Sequence, residues 1–268
     1  MDSGLYAACA GLRAQSQALE VAAHNLANLN TAGFRGQATT FQSLVATGTA
    51  GPNAMGRVAG AVFNPAPSSN LNFALNSATN NFGVLEGTHL DMTAGNLAAT
   101  GNPLDVGIEG DGFFAIQTAG GTRYTRNGSF QVSSKGQLVT GTGDLVIGDA
   151  TLKDRNGINV PAGAISIAGD GTISVNGAVA GTIGLVEFAP GTKLTSEGGT
   201  LISAPEGSAT PVPQPALRQG ALESSNVNSI SSVVTLIGVQ RQAEMLQRAL
   251  SLFDNEFDRI ATTDLAKV

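Results

Sequence analysis

The chain has 268 residues, enough to bury a substantial core in one or two domains. Only 13% of them are charged, the net charge is −6 and no dense Lys/Arg patch occurs, which excludes the electrostatic footprint of a nucleic-acid binder. The single cysteine, Cys9, rules out an intramolecular disulfide, and no stretch is long and apolar enough to span a membrane.

The first predicted element is a helix from about Ser3 to Asn28, rich in Ala and free of Pro. Leu5, Leu12, Leu19 and Leu26 recur every seven residues along it and form a narrow apolar seam. A seam this narrow needs a partner helix, because alone it leaves apolar surface in water. Asn28 to Gly33 supply residues that tolerate left-handed backbone and stop the helix, and Phe34 anchors the chain beyond it. Gly4 to Leu12 is apolar and Ala8-Cys9-Ala10 superficially resembles a cleavage site. Yet Asp2 stands where a leader carries basic residues, and the leucine pattern runs through the cleavage point, so no cleaved leader is expected.

Residues 36–81 are rich in Gly, Ala, Ser, Asn and Thr, with weak periodicity and with Pro52, Pro65 and Pro67 as punctuation. They read as an extended connector or arm. From about Phe82 to Pro205 the period changes to two. Val106, Ile108, Phe113, Phe114 and Ile116 read as a strand pair around Glu109-Gly110-Asp111-Gly112. Asn127-Gly128 is a strong hairpin signal between Arg123–Arg126 and Phe130–Val132. Ser134-Lys135-Gly136 turns into Leu138-Val139, and Leu145–Ile147, Ile165–Ile167, Ile173–Val175 and Gly184–Phe188 continue the run. The expected product is a mostly antiparallel β-domain.

A Pro-rich stretch, Pro205 to Pro215, leads out of that domain, and Ser and Asn around Ser224–Asn228 are placed to cap a last helix from about Asn228 to Asp264. Leu236, Val239, Ala243, Leu246, Leu250, Phe253, Phe257 and Ile260 alternate in steps of three and four on it, a second narrow seam. The fold class is therefore α+β, with two terminal helices pairing as a coiled-coil-like unit and the β-domain inserted between them.

No residue pattern supports catalysis or a cofactor. Neither His24 nor His89 has a ligand partner at useful spacing, so no metal is expected. Asp105, Glu109 and Asp111 are close enough to raise an acid/base pair, the basis of a hydrolase alternative, but read better as turn and strand-edge residues. Asn127-Gly128-Ser129 fits a glycosylation acceptor, though the turn role is the better one.

Four blocks carry a resemblance. Asn25-Leu26-Ala27-Asn28-Leu29-Asn30-Thr31-Ala32-Gly33-Phe34-Arg35 resembles the N-terminal signature of the bacterial flagellar rod and hook protein family. The run from Thr100 to Phe114, with Gly101, Asn102, Leu104, Gly110, Gly112, Phe113 and Phe114, resembles its central signature. So does Tyr124 to Phe130, with Asn127, Gly128 and Phe130, and the segment Gly220 to Val227, with Ser225, Asn226 and Val227, resembles the one before its last helix. The four stand in the family's order and span most of the chain.

The resemblance implies a non-enzymatic subunit of the flagellar axial structure. Paired terminal helices would sit in an inner tube and the β-domain outside it. The implied division is 1–35 for the N-terminal helix, 36–81 for the arm, 82–215 for the β-rich domain and 216–268 for the C-terminal segment and helix. Implied partners are copies of itself, other rod and hook proteins, and the flagellum's own type III export apparatus. The implied location is the basal-body rod crossing the periplasm, where it transmits torque from motor to hook. Length favours a rod member over a hook protein, and the Met1-Asp2 opening with the C-terminal helix favours the proximal rod. A distal-rod or hook-type subunit and a secreted β-rich adhesin are the alternatives. The seam residues Leu5, Leu12, Leu19, Leu26, Leu236, Val239, Leu246, Leu250, Phe253, Phe257 and Ile260 are the expected assembly interface. Isolated helices are marginal in water, so the terminal segments are expected to order fully only on docking.

Overall fold

Ala-rich, Pro-free sequence at the start gives helix α1, Asp2–Ala27, and the last apolar seam lies on helix α2, Ser229–Leu265. The computed structural model describes residues 2–45, 81–148 and 157–265, with side-chain surroundings over 9–40, 88–148 and 157–252. The Asn228 carboxamide oxygen caps α2, accepting from Ile230 N at 3.0 Å and Ser231 N at 3.1 Å. At the end of α1 the turn closes through Thr31 N to Asn28 O and Phe34 N to Thr31 O, with Gly33 left-handed at φ 68°.

The chain forms two compact units. The first comprises Met1–Glu20, Thr39–Gly87 and Thr235–Val268 and so holds most of both helices. Strands β1, Gln37–Val45, and β2, Asn81–Leu90, pair in it as a two-stranded sheet. β1 falls in the stretch read as a connector, where the mixed Gln-Ala-Thr-Thr-Phe-Gln composition gave no clear alternation. Gln15 Nε2 of α1 donates to Gln242 Oε1 of α2 at 2.6 Å, and a Cβ at Gly11 would meet a Leu246 methyl at 3.6 Å. Leu12, Leu19 and Leu26 are half-buried, while the most buried line on α1 is Ala14, Ala18 and Ala22. On α2, Leu236, Val239, Ala243, Leu246 and Leu250 are half-buried, whereas Ile237, Met245 and Leu252 are exposed. Leu5, Phe253, Phe257 and Ile260 lie outside the residues whose side chains are described.

The second unit, Val21–Ala38 with Thr88–Val234, holds the β-structure. Its first strands are β3 (Leu97–Ala99), β4 (Val106–Ile108), β5 (Phe113–Thr118), β6 (Gly121–Thr125), β7 (Phe130–Val132), β8 (Leu138–Thr140) and β9 (Leu145–Val146). Next come β10 (Ile165–Ile167), β11 (Thr172–Val175), β12 (Ala178–Thr182), β13 (Leu185–Phe188) and β14 (Thr195–Ser196). The last are β15 (Ile202–Ser203), β16 (Ala209–Pro211), β17 (Leu217–Gln219) and β18 (Ala221–Glu223). The main sheet runs β14-β15-β6-β5-β9-β8-β7, with β13 branching from β5 and carrying β16. β10, β11 and β12 form a separate sheet, and β4–β17 and β3–β18 are two-stranded antiparallel ladders.

β5 is central because its apolar run has no polar alternation. Phe114 and Ile116 enter one core with Val106, Phe130, Leu138, Val146 and Leu185. Phe113 and Ala115 face a second, with Tyr124, Ile147, Val186 and Ile202. Burial on both faces needs apolar residues at every position rather than every second one.

Two expected pairings are corrected. Asn127-Gly128 is not a hairpin turn, because β6 pairs with β5 and β15 while β7 pairs with β8. The link is held by its own bonds, Asn127 N to Thr125 Oγ1 and Ser129 N to Asn127 Oδ1, each 3.0 Å. Gly128 is required there for space: a Cβ would stand 1.8 Å from the Val106 carbonyl oxygen. Likewise Glu109-Gly110-Asp111-Gly112 does not join a strand pair, since β4 pairs with β17 and β5 with β6, β9 and β13. Gly110 and Gly112, at φ 105° and 126°, redirect the chain between separate sheets. Asn176-Gly177, with φ 51° and 87°, makes a two-residue hairpin turn between β11 and β12.

Candidate functional site

All four signature blocks converge in the second unit on a buried junction of Arg35, Arg126 and Glu223. Arg35 follows the Gly33-Phe34 turn beyond α1. Arg126 directly follows β6. Glu223 ends β18, where alternate burial puts it on the same inward side as Ala221. Their side chains are only 2–3% exposed. Arg126 Nη1 lies 3.1 Å from Glu223 Oε2, and Arg35 Nη2 lies 2.9 Å from Glu223 Oε1. The second contact is likewise an ion pair. Gly95 N adds a third charge-assisted contact, to Glu223 Oε1 at 2.7 Å. Arg126 Nη2 donates to the Gly110 carbonyl at 2.9 Å, Arg35 Nη1 donates to the Thr93 carbonyl, and the Arg126 guanidinium stands 5.2 Å from the Phe113 ring centre.

Two cations share one buried carboxylate. Burial pulls both guanidinium pKa values below the ordinary arginine value, and the attraction of Glu223 pulls them back. Asp91 and Asp111 add weaker attraction to Arg35, and Asp111 does so for Arg126. Arginine nonetheless stays charged at neutral pH. The junction therefore fixes charge in place rather than moving protons. Among the described residues, Nε of both arginines is buried without a hydrogen-bond acceptor. The cost of desolvating three charges offsets much of their mutual attraction, so such a cluster adds little net stability while removal of one member is costly.

Around it the signature residues tie the chain ends together. Asn25 brackets the Gln37 backbone, donating to its carbonyl at 2.7 Å and accepting from its N–H at 2.9 Å. Asn226 Oδ1 accepts from Gly36 N at 2.7 Å, and its Nδ2 donates to the carbonyls of Asp91 and Thr93, both at 3.0 Å. Gly33 N donates to Glu223 O at 2.7 Å, and a Cβ at Gly33 would come within 2.3 Å of Asn127 N. Phe34 is 1% exposed and meets His24 edge-on at 5.4 Å. Asn28 donates from Nδ2 to His24 O and accepts from Thr31 Oγ1. Ser225 Oγ accepts from Val227 N, and Val227 packs toward Gly36.

Other signature residues shape the β-core instead. Phe114 and Phe130 pack edge to face at 5.0 Å, and Leu104 lies against the same core. Asn102 Nδ2 donates to Asp105 Oδ1 at 3.0 Å, and Gly101 N donates to Gly220 O at 3.1 Å. The acidic trio does not share a site. Asp105 is held by Asn102, Glu109 lies 3.8 Å from Arg218, and Asp111 lines a separate pocket beside Phe113. Among the described residues, no group of three or more His, Cys, Asp and Glu side chains is placed to hold a metal.

Arg35, Arg126 and Glu223 lie within the signature blocks, but nothing local in the sequence assigns them a role. The available signal was charge at inward positions of apolar elements, such as Glu223 two residues after buried Ala221.

Known proteins resemble the chain over nearly its whole length. Residues 5–35 match the family described as flagella basal body rod protein, and 107–175 match the flagellar hook protein FlgE/F/G D1 domain. Residues 218–263 match the flagellar basal body rod FlgEFG protein C-terminal family. The chain is 32% identical over 269 residues to the flagellar basal-body rod protein FlgG of Bacillus subtilis (strain 168), covering 95% of this chain and 96% of that one. It is 34% identical to the flagellar basal-body rod protein FlgF of Escherichia coli (strain K12), with 97% of each chain covered. Identity to the FlgF of Mesorhizobium japonicum is also 34%, covering 91% of this chain and 90% of that one.

Proposed function

The chain belongs to the flagellar basal-body rod protein family, and on that footing we propose how it works as a structural subunit of the rod. The seams of α1 and α2 dock in the axial core, against each other and against neighbouring axial subunits, and the β-rich unit lies outside that core. Residues 1–35 and 216–268 supply the core, and 82–215 the outer domain. Burying the Leu and Phe seams gives ~25 cal/mol per Å² of apolar surface, set against about 1–2 kcal/mol per backbone residue ordered. Helix completion is thereby coupled to incorporation. Head-to-tail contacts that do not close generate a helical tube. Partners are copies of itself, other rod and hook proteins, and the flagellum's own export apparatus.

Four blocks remote in sequence meeting at Arg35, Arg126 and Glu223 is the observation that carries this reading. The junction bonds the last residues of the α1 turn to the first strand before α2. Leu12→Asp and Leu246→Asp test the docking step. The variant chains keep their β-structure but are missing from purified basal bodies, and the cells do not swim. Normal motility with both variants would refute the reading.

A further inference from the structure

Among the described residues of the first unit, α2 is apolar on two opposite sides. The side toward α1, marked by the approach of Leu246 to Gly11, carries Leu236, Val239, Ala243 and Leu250, all half-buried. On the far side Ile237, Met245 and Leu252 are 44, 60 and 69% exposed, with exposed Arg241 and Arg248 between them. These five positions advance in steps of four, four, three and four, so they form one continuous stripe. α1 has a stripe of its own on the side away from Gly11, Ala14 and Ala18. It consists of Cys9, Arg13, Ser16 and Glu20, in steps of four, three and four, all exposed. Ser16 is a gap in that stripe, with half-buried Leu12 and Leu19 about one turn to either side.

Direction and charge fix how two such stripes meet. Within one chain α1 and α2 run antiparallel, since Gly11 lies against Leu246 and Gln15 against Gln242. In a head-to-tail stack every copy points the same way, so α1 of one copy also runs antiparallel to α2 of the copy beside it. The charged side chains described on the two helices are Arg13, Glu20, Arg241, Glu244 and Arg248, and no ion pair joins any of them among the described residues. Glu244 is one turn from either arginine and so favours neither. Arg13–Glu20 and Arg241–Arg248 share a seven-residue spacing. Glu20 against Arg241 would therefore set Arg13 against Arg248, and Glu20 against Glu244 is like on like as well. Glu20 against Arg248 instead sets Arg13 at Asn255, between Asp254 and Glu256. The same register puts Leu252 opposite Ser16, a large side chain over the gap. One alignment satisfies sign and size together, and both halves of it belong to this chain.

We propose that the exposed stripe of α2 in one copy seats on the exposed stripe of α1 in a second copy, with Leu252 over Ser16 and Arg248 beside Glu20. α2 then lies between its own α1 and a neighbour's. The inference rests on the rod reading above and names the occupant of one face of that core. Its test places the full-length chain in its own flagellated cell as Cys9→Ser with Ser16→Cys and Leu252→Cys, and treats purified basal bodies with a short bismaleimide. Within one chain these two positions are about eleven residues out of register, about 16 Å along the axis, and face apart, so only separate copies can be joined. A ladder of multiples of this chain forms, and neither single-cysteine variant gives it. Glu20→Lys and Arg248→Glu each lower incorporation roughly tenfold, and the two together restore it, whereas Glu20→Lys with Arg241→Glu does not. The purified charge variants keep the unaltered melting midpoint, since all three side chains are exposed. No ladder in basal bodies that contain the double-cysteine chain, a cross-link to a different axial protein instead, or rescue by Arg241→Glu rather than Arg248→Glu overturns the proposal. If the cysteine variant does not incorporate, the charge pairs decide alone. Each of these results leaves the rod reading standing while the unaltered chain is found in basal bodies; its absence there would overturn both.

Discussion

Replacing Glu223 with Gln keeps the shape of the junction and removes its only buried negative charge. Arg35 and Arg126, each about 3% exposed, would then face each other with no counterion between them. Removing one partner of a buried ion pair costs about 3–5 kcal/mol. Total stabilities are about 5–15 kcal/mol, so the loss is a large fraction of the whole. In a domain of this size each kcal/mol lowers the midpoint by about 2–4 °C, which gives a fall of roughly 6–20 °C. Arg126→Met is the informative contrast. It leaves Arg35 and Glu223 balanced one to one, and it forfeits the bond to Gly110 O and the contact with Phe113. Those are worth about 1–3 kcal/mol together. Tyrosine fluorescence during thermal unfolding reports the unit, because Tyr124 is 6% exposed in its second core. If Glu223→Gln melts within about 2 °C of the unaltered protein, or above Arg126→Met, the charge argument is wrong.

Gly128→Ala pushes a methyl to 1.8 Å from the Val106 carbonyl and is expected to leave the β-unit unfolded, whereas Gly101→Ala, with φ 75° and open space around it, costs only about 1 kcal/mol; equal soluble yield and equal urea midpoints would contradict this. Asn226→Ala removes the acceptor 2.7 Å from Gly36 N and is expected to cost about 1–3 kcal/mol, with faster hydrogen exchange at that amide as the readout. Unchanged exchange at Gly36 would rule the bond out as a tie. The Arg123 guanidinium holds the Glu197 carboxyl below the ordinary glutamate range. A carboxyl depressed on folding stabilises above its unfolded pKa, about 4.3, and that contribution disappears as pH falls through the folded value. Glu197→Gln should therefore differ from the unaltered protein at pH 7 and converge with it at the acid end; a melting difference constant across pH would count against the pairing.

Much of the fold was legible because its signals are local. Ala-rich and Pro-free runs mark both helices, Asn228 announces a cap, and the Ser134-Lys135-Gly136 turn lies where expected, Gly136 being left-handed at φ 74°. Strand partners were less legible. Asn127-Gly128 has the composition of a hairpin turn, but Phe130 belongs with Thr140 and Phe114 with Thr125, and only the packing of both cores decides that. The family blocks located the site without explaining it. Gly33 is left-handed in its turn as expected, but it and Gly128 also serve close backbone approach, and Asn25 and Asn226 bracket distant backbone. The ion junction escaped because its members stand 35, 126 and 223 residues along the chain. No periodicity links groups so far apart.

The ladders β3–β18 and β4–β17 make the large β-segment begin and end side by side, with Leu97 opposite Glu223 and Val106 opposite Gln219. Chain arriving before Leu97 and chain leaving after Glu223 therefore emerge from the same mouth. A load that drags these two stems apart peels the ladder rung by rung, the direction in which hydrogen bonds resist least because they yield singly. Glu223 is the rung at that mouth. Its carbonyl is gripped by Gly33, and its carboxylate by Gly95 and two guanidiniums, none of which belongs to the ladder. The outermost backbone bond, Ser224 N to Asn96 O at 2.8 Å, is backed directly by this riveted rung, and peeling that passes it halts at Glu223 until the rivets shear together.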